Sequence, residues 1–221
     1  MAAITTDGSA SSSGIVTGSG TTKTLTVVSA VVGRYRVLAI SLNGTTAVST
    51  VTGGGVGTWT QAGVGSTANG RRMELWVGKV INTTNPTTIT VTWAASITGV
   101  NIDMYSQMWK AASLAAPVWF LDVFGFVTAA TGTTVSYPTL APRTVGPELY
   151  SGASFCANTP SVGSTSGFTW GSTSGYSNPW CYNASTTGSV SPSASQTPSG
   201  SSDTVAAIVG VMDGGAGFFG G

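Results

Sequence analysis

Seven carboxylates and no histidine make up the proton-handling repertoire of this sequence: Asp7, Glu74, Asp103, Asp122, Glu148, Asp203 and Asp213. Without histidine the commonest general base near neutral pH is missing, along with the usual metal ligand and the Ser-His and Cys-His nucleophile pairs. Carboxylates alone can hydrolyse a glycosidic bond, provided two of them face one sugar at about 5 to 9.5 Å. Glu74 and Asp103 are the pair to consider, because MELWVGKV and VNIDMYSQM place them on the outward side of expected neighbouring strands. The favoured expectation is plainer: an exposed ion pair of Glu74 with Arg71, Arg72 or Arg36, worth little. No H-E-x-x-H, G-x-S-x-G or P-loop pattern occurs. No catalytic, cofactor-binding or metal-ligating residue is therefore assigned, and no cofactor is expected.

The run GGGVGTWT (Gly53–Thr60) has the glycine density of a phosphate loop, but nothing after it has a helical apolar period. Its glycines are expected to take positive φ in a tight reversal, with Trp59 folded over the end of a core. Cys156 and Cys181 are too few for a cysteine zinc site and leave two alternatives, one disulfide or two buried thiols. Among the aromatics, Trp93 alternates inward with Ile89 and Val91. Trp76, Tyr105, Tyr176 and Trp180 are the candidate surface contacts that could stack on a sugar. The three Asn-x-Ser/Thr sequons, at Asn43, Asn82 and Asn183, are expected by chance in so Ser/Thr-rich a chain.

Composition sets the frame for these residues. Of 221 residues only 7% are charged, the net charge is +1 and glycine numbers 31, whereas ordinary soluble domains carry about a quarter charged residues. Near-neutrality gives no electrostatic reason to bind nucleic acid or an anionic membrane. The N-terminus lacks the basic start and apolar core of a secretion signal, and apolar stretches such as Thr204–Met212 fall far short of the ~20 residues that span a bilayer. Neither membrane insertion nor signal-directed export is expected.

Period-two alternation dominates: TLTVV, VLAISL, MELWVGKV, TITVTW and VNIDMYSQM, separated by Gly, Asn, Ser and Pro, predict an all-β antiparallel sandwich of jelly-roll type. The single helical candidate is Trp109–Ala116, ahead of Pro117. Val32-Gly33, Trp59, Trp76 and VNIDMYSQM find ordered echoes in Val145-Gly146, Trp170, Trp180 and DTVAAIVGVMD. An internal duplication is therefore expected. Residues 1–20 form a flexible Ser/Gly/Thr-rich arm, 21–130 a first sandwich repeat with its connector, 131–213 a second, and 214–221 a Gly/Phe tail. Ile4, Ile15, Phe218 and Phe219 stand out as apolar assembly contacts on the arms.

The glycine-tryptophan turn, the E-L-W strand and the T-V-T-W strand within residues 21–213 resemble a β-sandwich structural module of tailed bacteriophages, of the minor-tail or head-decoration type. The resemblance implies a non-enzymatic virion protein at the surface of head or tail. Its partners would be capsid or tail subunits and copies of itself in a symmetric oligomer, without nucleic acid or membrane. It carries over no site residues. The alternative is a glycan-binding module that contacts a host receptor through exposed aromatics.

Overall fold

The computed structural model describes residues 3–13, 16–66, 70–144, 146–174 and 177–214. Among them there is no helix. The first half supplies β1 (Ile4–Thr6), β2 (Ser11–Ser12), β3 (Val16–Thr26), β4 (Tyr35–Leu42), β5 (Val48–Gly53), β6 (Thr60–Ser66), β7 (Arg72–Lys79) and β8 (Thr88–Ala111). The second supplies β9 (Pro117–Ser136), β10 (Glu148–Cys156), β11 (Thr159–Ser161), β12 (Thr169–Ser172), β13 (Pro179–Thr186) and β14 (Ser193–Asp213). Trp109–Ala111 end β8, and Trp109 is fully buried, so the expected helix is a strand end and a turn. A strand wins there because sheet pairing with Tyr35 and Thr6 satisfies the Trp109 backbone.

The two halves repeat one topology. In the first sheet β8 carries β4 and β5 along one edge, and β4 continues to β7 and β6. In the second, β14 carries β10 and β11, and β10 continues to β13 and β12. The opposite edge of β8 is lined by β1, β2 and β3, that of β14 by β9. All pairings are antiparallel.

TITVTW and VNIDMYSQM, which read as two strands, are one continuous strand of 24 residues, β8. It bends near Gly99, whose φ of +63° an L side chain rarely adopts. The bend lets the first sheet fold over itself. Leu38, Ile40 and Leu42 of β4 then share a buried cluster with Ile89, Val91 and Trp93 from the other end of β8. The opposite face of β4, with Val37 and Ala39, packs on Leu149, Ala153, Val205 and Ala207 of the second sheet. A third cluster, including Val135, Tyr150, Cys156, Cys181 and Ile208, fills the outer side of the second sheet. Strand β4 is buried on both faces and reads YRVLAISL, with little left for solvent.

The GGGVGTWT run is a connector. Gly53, Gly54 and Gly55 have φ of +83°, +64° and +73°. The Trp59 indole N–H donates to the Gly53 carbonyl at 3.2 Å, which folds the ring over the first core. The buried Arg36 guanidinium donates to the carbonyls of Gly54 and Val28, clamping the turn to the end of β3.

The N-terminal arm departs from expectation. Ile4–Thr6, Ser11–Ser12 and the start of β3 pair with β8, and Ile4 is buried between the two sheets. Serine, threonine and glycine gave the segment the look of a free tail, but the edge of β8 offers unpaired backbone groups that it completes.

Candidate functional site

Asp103 sits where the two halves meet. It lies on the face of β8 that also carries Tyr105, opposite Ser41 of β4, and is 3% exposed. Its Oδ2 accepts hydrogen bonds from the Thr173 hydroxyl at 2.5 Å and the Asn178 side-chain amide at 2.9 Å, both from the second half. Oδ1 is buried with no hydrogen-bond partner. Burial raises the pKa of this carboxyl, and the bonds from Thr173, Asn178 and the Met104 amide oppose that rise only in part. The surrounding void, lined by Met73, Ala153, Pro179 and Trp180 among others, is about 10 Å³, room for no more than one water. Ser12 of the arm hydrogen-bonds Ser174, the residue after Thr173. Such a site can hold two sheets in register, and it has no room for a sugar.

Glu74 is on the other face of the same sheet. It precedes Leu75 on β7, pairs with Ile40 and has β4 between it and β8. The two carboxylates considered as a catalytic pair are thus separated by the sheet, with β4 between their strands. Nor is Glu74 exposed: at 1% it accepts from the Val48 amide (3.0 Å), Gln61 Nε2 (2.6 Å), Arg72 Nε (2.5 Å) and Trp76 Nε1 (2.9 Å). Arg72, one of the three arginines considered, is its ion-pair partner. The pairing is buried because β5 closes over that face. Arg71 instead reaches the second half, hydrogen-bonding Ser201 at 2.9 Å and lying 5.3 Å from the Phe155 ring centre.

A second carboxyl pair, which the sequence did not single out, lies at the start of β10. Glu148 hydrogen-bonds Asp122 of β9, and burial, followed by the Asp122 charge, pushes its pKa up to about 7. Thr144 donates to Glu148 Oε1, and the Arg143 amide donates to Asp122 Oδ2 at 2.6 Å. Glu148 lies twenty-six positions beyond Asp122, so only the pairing of β9, β14 and β10 brings them together. Among the described residues no cluster of three or more metal-ligating side chains occurs.

The aromatic candidates have their faces occupied. Trp76 is buried in the first core. Tyr105, 2% exposed, stacks on Trp180 at 4.7 Å, and Trp180 stacks in turn on Tyr182 at 6.3 Å. The Trp180 ring also lies over Gly171, where a Cβ would fall 2.1 Å from it. These rings are the mortar between sheets, because the alternation that pointed them away from one core points them into the other. Tyr176, Ile15, Phe218 and Phe219 lie outside the described residues. Cys156 and Cys181 are two free buried thiols; burial pushes the Cys156 pKa up to about 11 and holds that of Cys181 well above the ordinary thiol value.

What the surface does offer is apolar. Five of the fifteen Lys, Arg, Asp and Glu side chains, Arg36, Glu74, Asp103, Glu148 and Asp203, are buried, which leaves ten for the exterior. Phe124 and Phe126 on β9 are 47% and 50% exposed. Their inner sides rest on Gly63 and Gly65 of β6, where an added Cβ would come within 2.6 Å and 3.3 Å of them. The signal VFGFV was present in the sequence: two phenylalanines at i and i+2 share one side of a strand. No protein-family model, curated protein or solved structure matches this chain.

Proposed function

We propose that this chain is a non-enzymatic structural protein of a tailed-bacteriophage virion, on the surface of head or tail. It would bind neighbouring capsid or tail subunits through apolar ridges on a rigid double sandwich. The supporting observation is the Phe124/Phe126 ridge, two half-exposed rings seated on the glycines of β6. Rings held on one side lose little entropy when the other side is covered, which is how aromatic anchors work in protein interfaces. A surface with ten charged side chains, rich in Ser, Thr and Gly, adds little charge desolvation to such contacts. The resemblance of the glycine-tryptophan turn and the E-L-W and T-V-T-W strands supplies the virion setting.

The test is a Phe124→Ser/Phe126→Ser variant supplied during particle assembly. The circular dichroism of the purified protein should be unchanged, while incorporation, read by antibody labelling of purified virions in the electron microscope, falls at least about tenfold, the equivalent of one modest hot spot. Unlabelled particles with the unaltered protein would reject the virion assignment. Equal labelling with the variant would reject the ridge.

A further inference from the structure

The surface also carries a pattern of hydroxyls, apart from that ridge. Thr88, Thr90 and Thr92 alternate with Ile89 and Val91, which are fully buried in the first core, so the three threonines face outward. Register continues the pattern onto both neighbouring strands. Thr26, Thr24 and Thr22 of β3 stand opposite Thr88, Thr90 and Thr92, and Thr52 and Thr50 of β5 stand opposite Thr90 and Thr92. Residues paired in this way share one face of the sheet. Two rows of three, Thr22-Thr92-Thr50 and Thr24-Thr90-Thr52, are therefore followed by the pair Thr26-Thr88. The five on β3 and β5 are exposed, and the three on β8 are half-buried between them. Lys23, the one charged residue in these stretches, alternates to the other side with Leu25.

We propose that this threonine face binds ice. Sheet geometry sets its repeats at about 4.8 Å between strands and about 6.8 Å between alternate residues of one strand. A flat lattice of hydrogen-bonding oxygens with repeats of similar size is the partner such a face matches, and the prism face of hexagonal ice is one. Leu25, Val51, Ile89 and Val91 hold the rows from behind in one buried cluster, and threonine has a stiff χ1, so the array is set before it meets a partner. Each hydroxyl both donates and accepts, as lattice water does. A charged side chain would have to shed its hydration at that plane, and none stands on this face. A crystalline polysaccharide also has a regular surface, but aromatic rings grip sugars, and Trp93 at the end of the array is buried. A second copy is a poor occupant, because an array of roughly 10 by 14 Å falls far below the ~800 Å² per partner of a stable interface. The inference is independent of the virion reading and uses none of its residues.

Recrystallisation of ice in frozen solutions of the full chain tests the proposal. The protein should keep crystals small at micromolar concentration, where an equal mass of serum albumin does not. Thr90→Lys, at the centre of the array, should raise the concentration required at least about tenfold. Thr24→Lys, on the exposed edge strand, should do the same with the circular dichroism unchanged. Phe124→Ser/Phe126→Ser should keep full activity, which separates this face from the ridge. Recrystallisation no slower than in albumin overturns the proposal. So does full activity in either folded lysine variant, or retention of the chain on microcrystalline cellulose without any effect on ice.

Discussion

Glu148 shows how a residue of ordinary type acquires unusual chemistry from its neighbours. Buried beside Asp122, it titrates near pH 7 instead of in the normal carboxyl range. A carboxyl whose folded pKa is raised binds its proton more tightly in the native state than in the unfolded chain. Its contribution is fully present below the unfolded pKa of about 4.5 and is lost as pH rises through the folded value. Thermal melts from pH 4.5 to 7.5 should therefore show a falling Tm, and Glu148→Gln, which cannot ionise, should flatten that part of the profile. An unchanged slope in the variant would remove Glu148 as the source. Asp103 shifts in the same direction for the same leading reason, burial, so some slope should survive in Glu148→Gln and diminish further in the double variant with Asp103→Asn.

At the scale of elements, the N-terminal segment and the long strands matter most. Residues Ile4–Thr6 and Ser11–Ser12 complete the edge of β8 and bury Ile4, while Ser13 Oγ accepts the Met104 amide at 3.0 Å. Removing residues 1–13 should strip those ladders and expose Trp109 and Ala111. The cost is that of a buried Ile side chain, about 1.5–3 kcal/mol, plus the orphaned backbone groups. A drop of several degrees in Tm is expected by calorimetry; a truncated chain that melts with the intact one would show that the edge is dispensable. Alternation made β4, β7 and both parts of β8 legible, down to which side chains share a face. It could not tell that β8 runs unbroken through its bend, because a Gly99 turn and a Gly99 kink look alike in sequence. The Trp109–Ala116 stretch misled for a related reason: short apolar runs fit either period.

On the scale of the whole molecule, the two sheets are joined by a continuous apolar seam, including Val37, Leu75, Trp109, Leu149 and Val209, with Asp103, Thr173 and Asn178 as a polar pin. A seam so thoroughly buried couples the halves. Unfolding should therefore be a single calorimetric transition, with van't Hoff and calorimetric enthalpies in agreement. Two resolved transitions would mean that the repeats are independent beads. The first repeat expressed alone should bind an apolar dye, because Val37, Leu75 and Trp109 would face water.

By itself the sequence determined what is periodic and local. The all-β class, the inward faces of the strands and the glycine reversal before Trp59 all follow from side-chain alternation and backbone sterics within a few residues. Tertiary structure decided what lies opposite each face. Trp76, Tyr105, Glu74 and Asp103 were read as outward because alternation distinguishes two sides of a strand without saying whether the second side meets water or another sheet. Packing the two sheets against each other buries that side for Tyr105 and Asp103, and the fold of the first sheet over itself buries it for Trp76 and Glu74. For this reason side chains with the spacing of a surface site became the packing of a seam, and the exposed chemistry passed to Phe124, Phe126 and the threonine rows of β3, β5 and β8.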